Sequence, residues 1–157
     1  MAKKAKKEYD IEFVNRKAAH EFKFNLMIEA GMMLKGTEIK SIRKGDVNLR
    51  DAYCLVRDGE LFVYSLYIGE YKYGNLYNHE PRRTRKLLIK KIEFKKIDKR
   101  VKEKGMTIIP YRLYVNKRGF AKLEIALAQG KKTYDKRETM KERDNKREMD
   151  RMKRIKL

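Results

Sequence analysis

Tyr53-Cys54-Leu55-Val56-Arg57-Asp58-Gly59-Glu60-Leu61-Phe62-Val63-Tyr64-Ser65-Leu66 decides the fold. Two runs rich in β-branched and aromatic residues flank Asp58-Gly59, a pair that accepts the positive φ angles of a type I′ turn. The segment therefore reads as a β-hairpin. Downstream, Ile109, Tyr111, Leu113 and Val115 alternate, as do Ala121, Leu123, Ile125 and Leu127, with Asn116-Lys117-Arg118-Gly119 as a second hairpin turn. Pro110 is expected at an edge or at the start of regular pairing. Upstream, Ile11 and Phe13 suggest a short strand ended by Asn15 as a helix N-cap. Ala19, Phe22, Leu26 and Ala30 recur at helical spacing, which predicts a helix closed at Gly31 by a left-handed C-cap. Arg16, Lys17, His20, Asn25 and Glu29 fall mostly on its other faces, the pattern of a solvated surface. Leu34, Ile39 and Ile42 slip in parity near Gly36, which reads as a long strand bent at a bulge. Gly45 and Asn48 mark a turn. Lys86–Ile89 reads as an extended entry to a helix from about Lys91 to Lys104, ended by Gly105. The fold class is mainly β with helices: an antiparallel barrel of about six strands, with two helices and a basic C-terminal tail. Closure removes exposed strand edges, and several five- or six-stranded barrels fit the periodicity equally well.

A chain of 157 residues is one domain by length and can bury a core without staples. Its single cysteine excludes an internal disulfide and a cysteine-based zinc cluster. The start, Met1 to Lys7, is basic and lacks the apolar core of a signal peptide, and no run is long enough to span a membrane, so a cytoplasmic protein is expected. Residues 1–8 read as a flexible basic N-terminus, 9–129 as the folded body and 130–157 as the tail. From Gly130 onward 12 Lys+Arg meet 6 Asp+Glu, so +6 of the net +20 lies in the tail and +14 upstream. A segment so poor in apolar surface cannot offset the entropy of ordering itself into a core. An excess of this size repels itself unless a polyanion is present, which favours a nucleic acid partner.

Within residues 69–81, Tyr71, Tyr73 and Tyr77 stand beside cations and Asn75, Asn78 and His79. Such tyrosines either stack on unpaired bases or cover one end of a barrel. Arg82, Arg83, Arg85 and Lys86 form a four-cation cluster with no compensating acid nearby, a phosphate-binding candidate. Catalysis has little to stand on. His20 and His79 sit in no metal-ligand spacing, and no glycine-rich phosphate loop or nucleophile elbow occurs.

Six stretches carry a resemblance: Asn15 to Glu21, Glu29-Ala30-Gly31, Leu34 to Arg43, Asn48 to Tyr53, Asn78 to Leu88 (Asn-His-Glu-Pro-Arg-Arg-Thr-Arg-Lys-Leu-Leu) and Gly130 to Arg137 (Gly-Lys-Lys-Thr-Tyr-Asp-Lys-Arg). In this order and without large gaps, they resemble the bacterial SsrA-binding (small protein B) family, whose members bind transfer-messenger RNA in ribosome rescue. The resemblance implies an oligonucleotide-binding (OB) type barrel. It also implies that the body holds the tRNA-like domain of transfer-messenger RNA. Asn15, Arg16, Lys17, His20, Glu29, Lys40, Arg43, Arg82, Arg83, Arg85 and Lys86 are then the expected contacts. Asn15 and Glu29 match family positions tied to that binding, though at the cap and end of a helix either could instead shape the helix.

The tail, by the same resemblance, enters the small-subunit decoding centre and the empty mRNA channel. Lys131, Lys132, Lys136 and Arg137 meet phosphates there, Asp135 belongs to the same motif, and Tyr134 offers a stacking surface. From Asp135 to Ile155 good helix formers dominate, so the tail is expected to be disordered free and helical on the ribosome. No cofactor, metal or small-molecule substrate is expected, and the chain is expected to be a monomer. The rival readings are a ribosomal or general RNA-binding barrel protein and, less supported, an RNA-modifying enzyme.

Overall fold

The computed structural model describes residues 11–131 and 133–155, with side chains in the last helix from Lys136 onward. The expected flexible segment 1–8 lies outside the described residues, as do the side chains of Lys132, Tyr134 and Asp135. The elements in order are β1 (Glu12–Val14), α1 (Arg16–Glu21), β2 (Phe22–Met32), α2 (Gly36–Arg43), β3 (Val47–Asn48), β4 (Tyr53–Arg57), β5 (Glu60–Tyr64), β6 (Tyr67–Ile68), β7 (Arg85–Leu88), α3 (Lys91–Lys104), β8 (Thr107–Val115), β9 (Ala121–Gly130) and α4 (Thr133–Ile155). Among the described residues the fold is mainly β with four α-helices rather than the two expected.

The hairpin forms as its sequence dictates. Tyr53 pairs with Tyr64 and Arg57 with Glu60, and the turn residues Asp58 and Gly59 take φ values of 50° and 75°. Around it the main sheet runs β1-β8-β4-β5-β7-β2-β9, and β9 pairs back onto β8, so six strands form a ring with β1 added outside β8. Leu61, Val63, Leu113, Leu123, Ile125 and Leu127 fill the ring, each at most 2% exposed. Ile42 of α2 and Ile97 of α3 join the same core. Fully burying one such side chain contributes roughly 1.5–3 kcal/mol, so Ile42 and Ile97 help pin the two helices to the ring. α3 has the expected bounds, and Gly105 caps it at φ 61° with its N–H on the Val101 carbonyl.

Three expectations are overturned. The helix expected up to Ala30 stops at Glu21, and Phe22–Met32 is a strand paired to β9 from Phe22↔Gly130 to Gly31↔Lys122. The spacing Phe22, Leu26, Ala30 satisfies period 2 as well as period 3.6, and Phe24 and Ile28 complete the strand alternation. Long-range pairing decided between them. The bent strand expected around Gly36 is α2, whose first turn is fixed by Glu38 accepting the Lys35 N–H at 2.7 Å. Pro110 is buried inside β8 opposite Ile125, beside a bulge between Pro110 and Arg112, the kind of site that tolerates a proline within a strand.

Cys54 faces this core at 1% exposure, and burial pushes its thiol pKa well up. Ellman's reagent should therefore leave the native chain untouched and react at once in denaturant. Rapid native labelling would mean that the ring opens.

At the end of β9 the Lys131 N–H reaches the Glu21 carbonyl at 2.9 Å, which closes the sheet before α4 begins. From Met140 to Ile155 every residue of α4 is exposed, so no described body element covers that stretch. No helix among the described residues is long and apolar enough to cross a membrane.

Candidate nucleic-acid interface

β2 carries Glu29 mid-strand, on the outward parity between buried Ile28 and Ala30, and not at a helix end as the spacing suggested. Its register partner is Glu124, and the hydroxyl of buried Tyr114 donates to Glu29 Oε2. One phenol leaves the carboxylate with spare acceptor sites toward solvent. Glu29 lines a groove of about 430 Å³ with Gly31, Leu88, Ile89, Lys90, Glu93 and Lys122. A Cβ at Gly31 would stand 3.4 Å from Leu88 Cβ, so β2 and β7 approach closely here and present Leu88 half exposed. The groove offers a carboxylate for base N–H or 2′-OH donors, an apolar surface, and ammonium groups for phosphate. Those are the contacts by which proteins read unpaired or A-form RNA. Leu88, Lys90, Tyr114 and Lys122 escaped the sequence reading. Parity along Arg85–Leu88 would have placed Leu88 outward, since Arg85 and Leu87 point in.

Asn15 is 5% exposed and both ends of its amide are engaged. Oδ1 accepts the Ala18 N–H at 3.2 Å, the expected N-cap, and Nδ2 donates to the Leu49 carbonyl at 3.1 Å. It joins β1, α1 and the turn before β4. Arg16 and Lys17 flank it on a second groove with Asn48, Leu49 and Arg50. His20 is half-buried on the same helix, and no residue of this groove lines the one at Glu29.

The cation cluster divides. Arg85 is fully buried, with Nε 2.7 Å from Glu38 Oε1 and Nη1 and Nη2 donating to the Leu66 and Pro81 carbonyls. It has no surface left for a phosphate, so the expected RNA contact at Arg85 is corrected to a structural anchor. Arg83 grips the same carboxylate through Nη2 at 2.8 Å and Nε at 3.1 Å. Burial alone would raise the Glu38 pKa, but hydrogen bonds from Arg83, the Lys35 N–H and Arg85, with the Arg85 charge, bring it down to about 2. The compensating acid exists, on α2. Arg82 lies over the Tyr67 ring at 5.7 Å, and Lys86 pairs with Glu60 at 2.6 Å near the surface. Lys40 sits 5.2 Å over the Tyr71 ring, and Arg43 donates to the Gly119 carbonyl at 3.4 Å. In the tail, Lys131 Nζ reaches the Ala19 carbonyl at 3.5 Å, Lys136 is half-buried and Arg137 is exposed.

The family model described as SmpB protein matches residues 12–155. The chain belongs to the SmpB family. It is 51% identical to the SsrA-binding protein of Flavobacterium psychrophilum over 143 residues, covering 91% of this chain and 95% of that protein. The SsrA-binding protein of Geobacter metallireducens is 53% identical over 135 residues, 86% of this chain and 88% of its own length. Among solved structures, a chain described under "tmRNA-SmpB: a journey to the center of the bacterial ribosome" superposes with a TM-score of 0.66. It is 43% identical and the match covers 78% of this chain and 85% of that one. SmpB membership thus spans the ring, both grooves and most of the tail.

Proposed function

We propose that the six-strand ring is an OB-type barrel that binds the tRNA-like domain of transfer-messenger RNA and delivers it to stalled ribosomes for trans-translation. The protein acts in the cytoplasm by binding, not by catalysis. Its tail enters the decoding centre and the empty mRNA channel, where the segment from Lys132 to Arg137 meets ribosomal RNA. One observation carries the placement of the RNA. Glu29, an outward carboxylate held by Tyr114, shares its groove with Leu88, Lys90 and Lys122, in a family whose curated members are SsrA-binding proteins.

The test compares transfer-messenger RNA with bulk tRNA at two salt concentrations. Hydrogen bonds to a charged group are worth roughly 1.5–3 kcal/mol, so Glu29→Ala should weaken transfer-messenger RNA binding about 10- to 150-fold. Lys122→Ala should mainly lower the salt slope, by about 1. Undiminished binding by Glu29→Ala would remove Glu29 from the site. Equal affinity of the parent for both RNAs would favour the general RNA-binding reading, since phosphate contacts alone cannot prefer one.

A further inference from the structure

We propose a second RNA-binding surface, an aromatic and lysine platform built by the loop after β6 and the outer face of α2, that stacks on unpaired bases of ribosomal RNA. Its ribosomal assignment rests on reading the Glu29 groove as the transfer-messenger RNA side. No residue of the platform lines that groove.

The loop is held in place rather than loose. The Gly69 N–H bonds the Asp46 carbonyl at 2.9 Å, and the Asp46 carboxylate occupies the place a Cβ on residue 69 would take. Asn78 closes the loop on itself, accepting the Tyr71 N–H at 2.9 Å and donating to the Tyr71 carbonyl at 2.7 Å. Buried His79 ties it to α2. Nε2 donates to the Ile68 carbonyl at 2.8 Å, and Nδ1 lies 2.8 Å from the Thr37 hydroxyl of α2. On this scaffold Tyr73 is 66%, Leu76 97% and Tyr77 89% exposed. Large apolar side chains displayed from a pinned loop are an interaction surface rather than an unpacked end.

Charge identifies the partner. The Lys44 ammonium lies 4.8 Å from the Tyr71 ring centre and 5.1 Å from that of Tyr73, Lys40 lies 5.2 Å from Tyr71, and Lys72 lies 5.8 Å from Tyr73. Residues 36–46 and 69–78 thus display Lys40, Arg43, Lys44 and Lys72 against Asp46 and Glu70, Glu38 being buried, so the proposal moves Lys40 and Arg43 from the expected transfer-messenger RNA contacts to this face. Aromatic faces among cations suit stacked bases with their phosphates and disfavour a basic or neutral protein. A protein that bridges one RNA to a ribosome needs a surface for each. With one RNA seated at Glu29, this platform serves the other.

The test uses the full chain, binding empty ribosomes and transfer-messenger RNA separately. Stacking lost at one or two bases should weaken ribosome binding of Tyr73→Ala with Tyr77→Ala about ten- to hundredfold. Transfer-messenger RNA affinity and melting temperature should stay at parental values, and Phe at both positions should restore ribosome binding. Lys40→Ala with Lys44→Ala should flatten the salt slope on ribosomes by about 2. Loss of transfer-messenger RNA binding by the tyrosine variant, unchanged ribosome affinity, or failure of Phe to rescue would each overturn the platform. Glu29→Ala run alongside should lose transfer-messenger RNA only. If it loses neither RNA, the groove assignment falls while the tyrosine result still stands or fails by itself.

Discussion

Glu38→Gln should destabilise the fold by roughly 3–5 kcal/mol, a large share of the 5–15 kcal/mol that a domain usually has. Glu38 and Arg85 are both 0% exposed and 2.7 Å apart. A glutamine keeps the shape but leaves the Arg85 guanidinium buried without a counter-charge and takes the second grip of Arg83. The sign with pH follows from the Glu38 pKa of about 2, depressed from 4.5. A depressed carboxyl contributes fully above its unfolded value and loses that contribution as pH falls through the folded one. The gap between parent and Glu38→Gln should therefore be widest from about pH 6 upward and close progressively between pH 5 and pH 2. Urea unfolding of both proteins at pH 7 and pH 3 measures it. A double variant, Glu38→Leu with Arg85→Met, should lie above the Glu38→Gln single, because an apolar pair removes both charges together. Its recovery should be partial, since the Leu66 and Pro81 carbonyls lose Arg85 as donor. Equal stability of parent and Glu38→Gln at pH 7 would show that the buried network does not hold α2 to β7.

What the sequence made legible was local. The Asp58-Gly59 turn, α3 with its Gly105 cap, and the Asn15 cap each depend on residues within one turn of each other. What escaped depends on distant partners. Phe22, Leu26 and Ala30 fit two periods, and pairing with β9, about a hundred residues later, selects the strand. Arg85 looked like a phosphate ligand because Glu38, 47 positions away, sat in a segment read as strand rather than helix. At the proposed RNA site Glu29 was legible through resemblance. Leu88, Lys90 and Lys122 become its neighbours only when β2 lies between β7 and β9. For the loop, sequence left the tyrosines divided between packing and stacking. The structure gives Tyr71, half-buried under Lys40 and Lys44, the packing part, and displays Tyr73 and Tyr77 to solvent.

Removing residues 132–157 is expected to abolish tagging on stalled ribosomes while leaving transfer-messenger RNA binding and thermal stability close to parental values. The position of the cut matters. Gly130 pairs with Phe22, and the Lys131 N–H bonds Glu21, so a cut at Gly130 would strip the end of β9 and confuse loss of fold with loss of tail. Beyond Lys131, Met140, Met149, Met152 and Ile155 are all more than half exposed. Deleting them therefore uncovers no core. From Met140 to Ile155, where every residue is exposed, the helix gains nothing from packing, the source of most helical stability in proteins. Helical signal from α4 should therefore be weak in the free chain and full only on the ribosome, where rRNA phosphates neutralise its lysines and arginines. Circular dichroism of the parent minus the truncated chain measures the first, and tagging of a stalled nascent chain in a reconstituted translation system measures the second. Tagging that survives the truncation would deny the tail its place in the mRNA channel. Lost transfer-messenger RNA binding would instead put an RNA contact in the tail and move it away from the Glu29 groove.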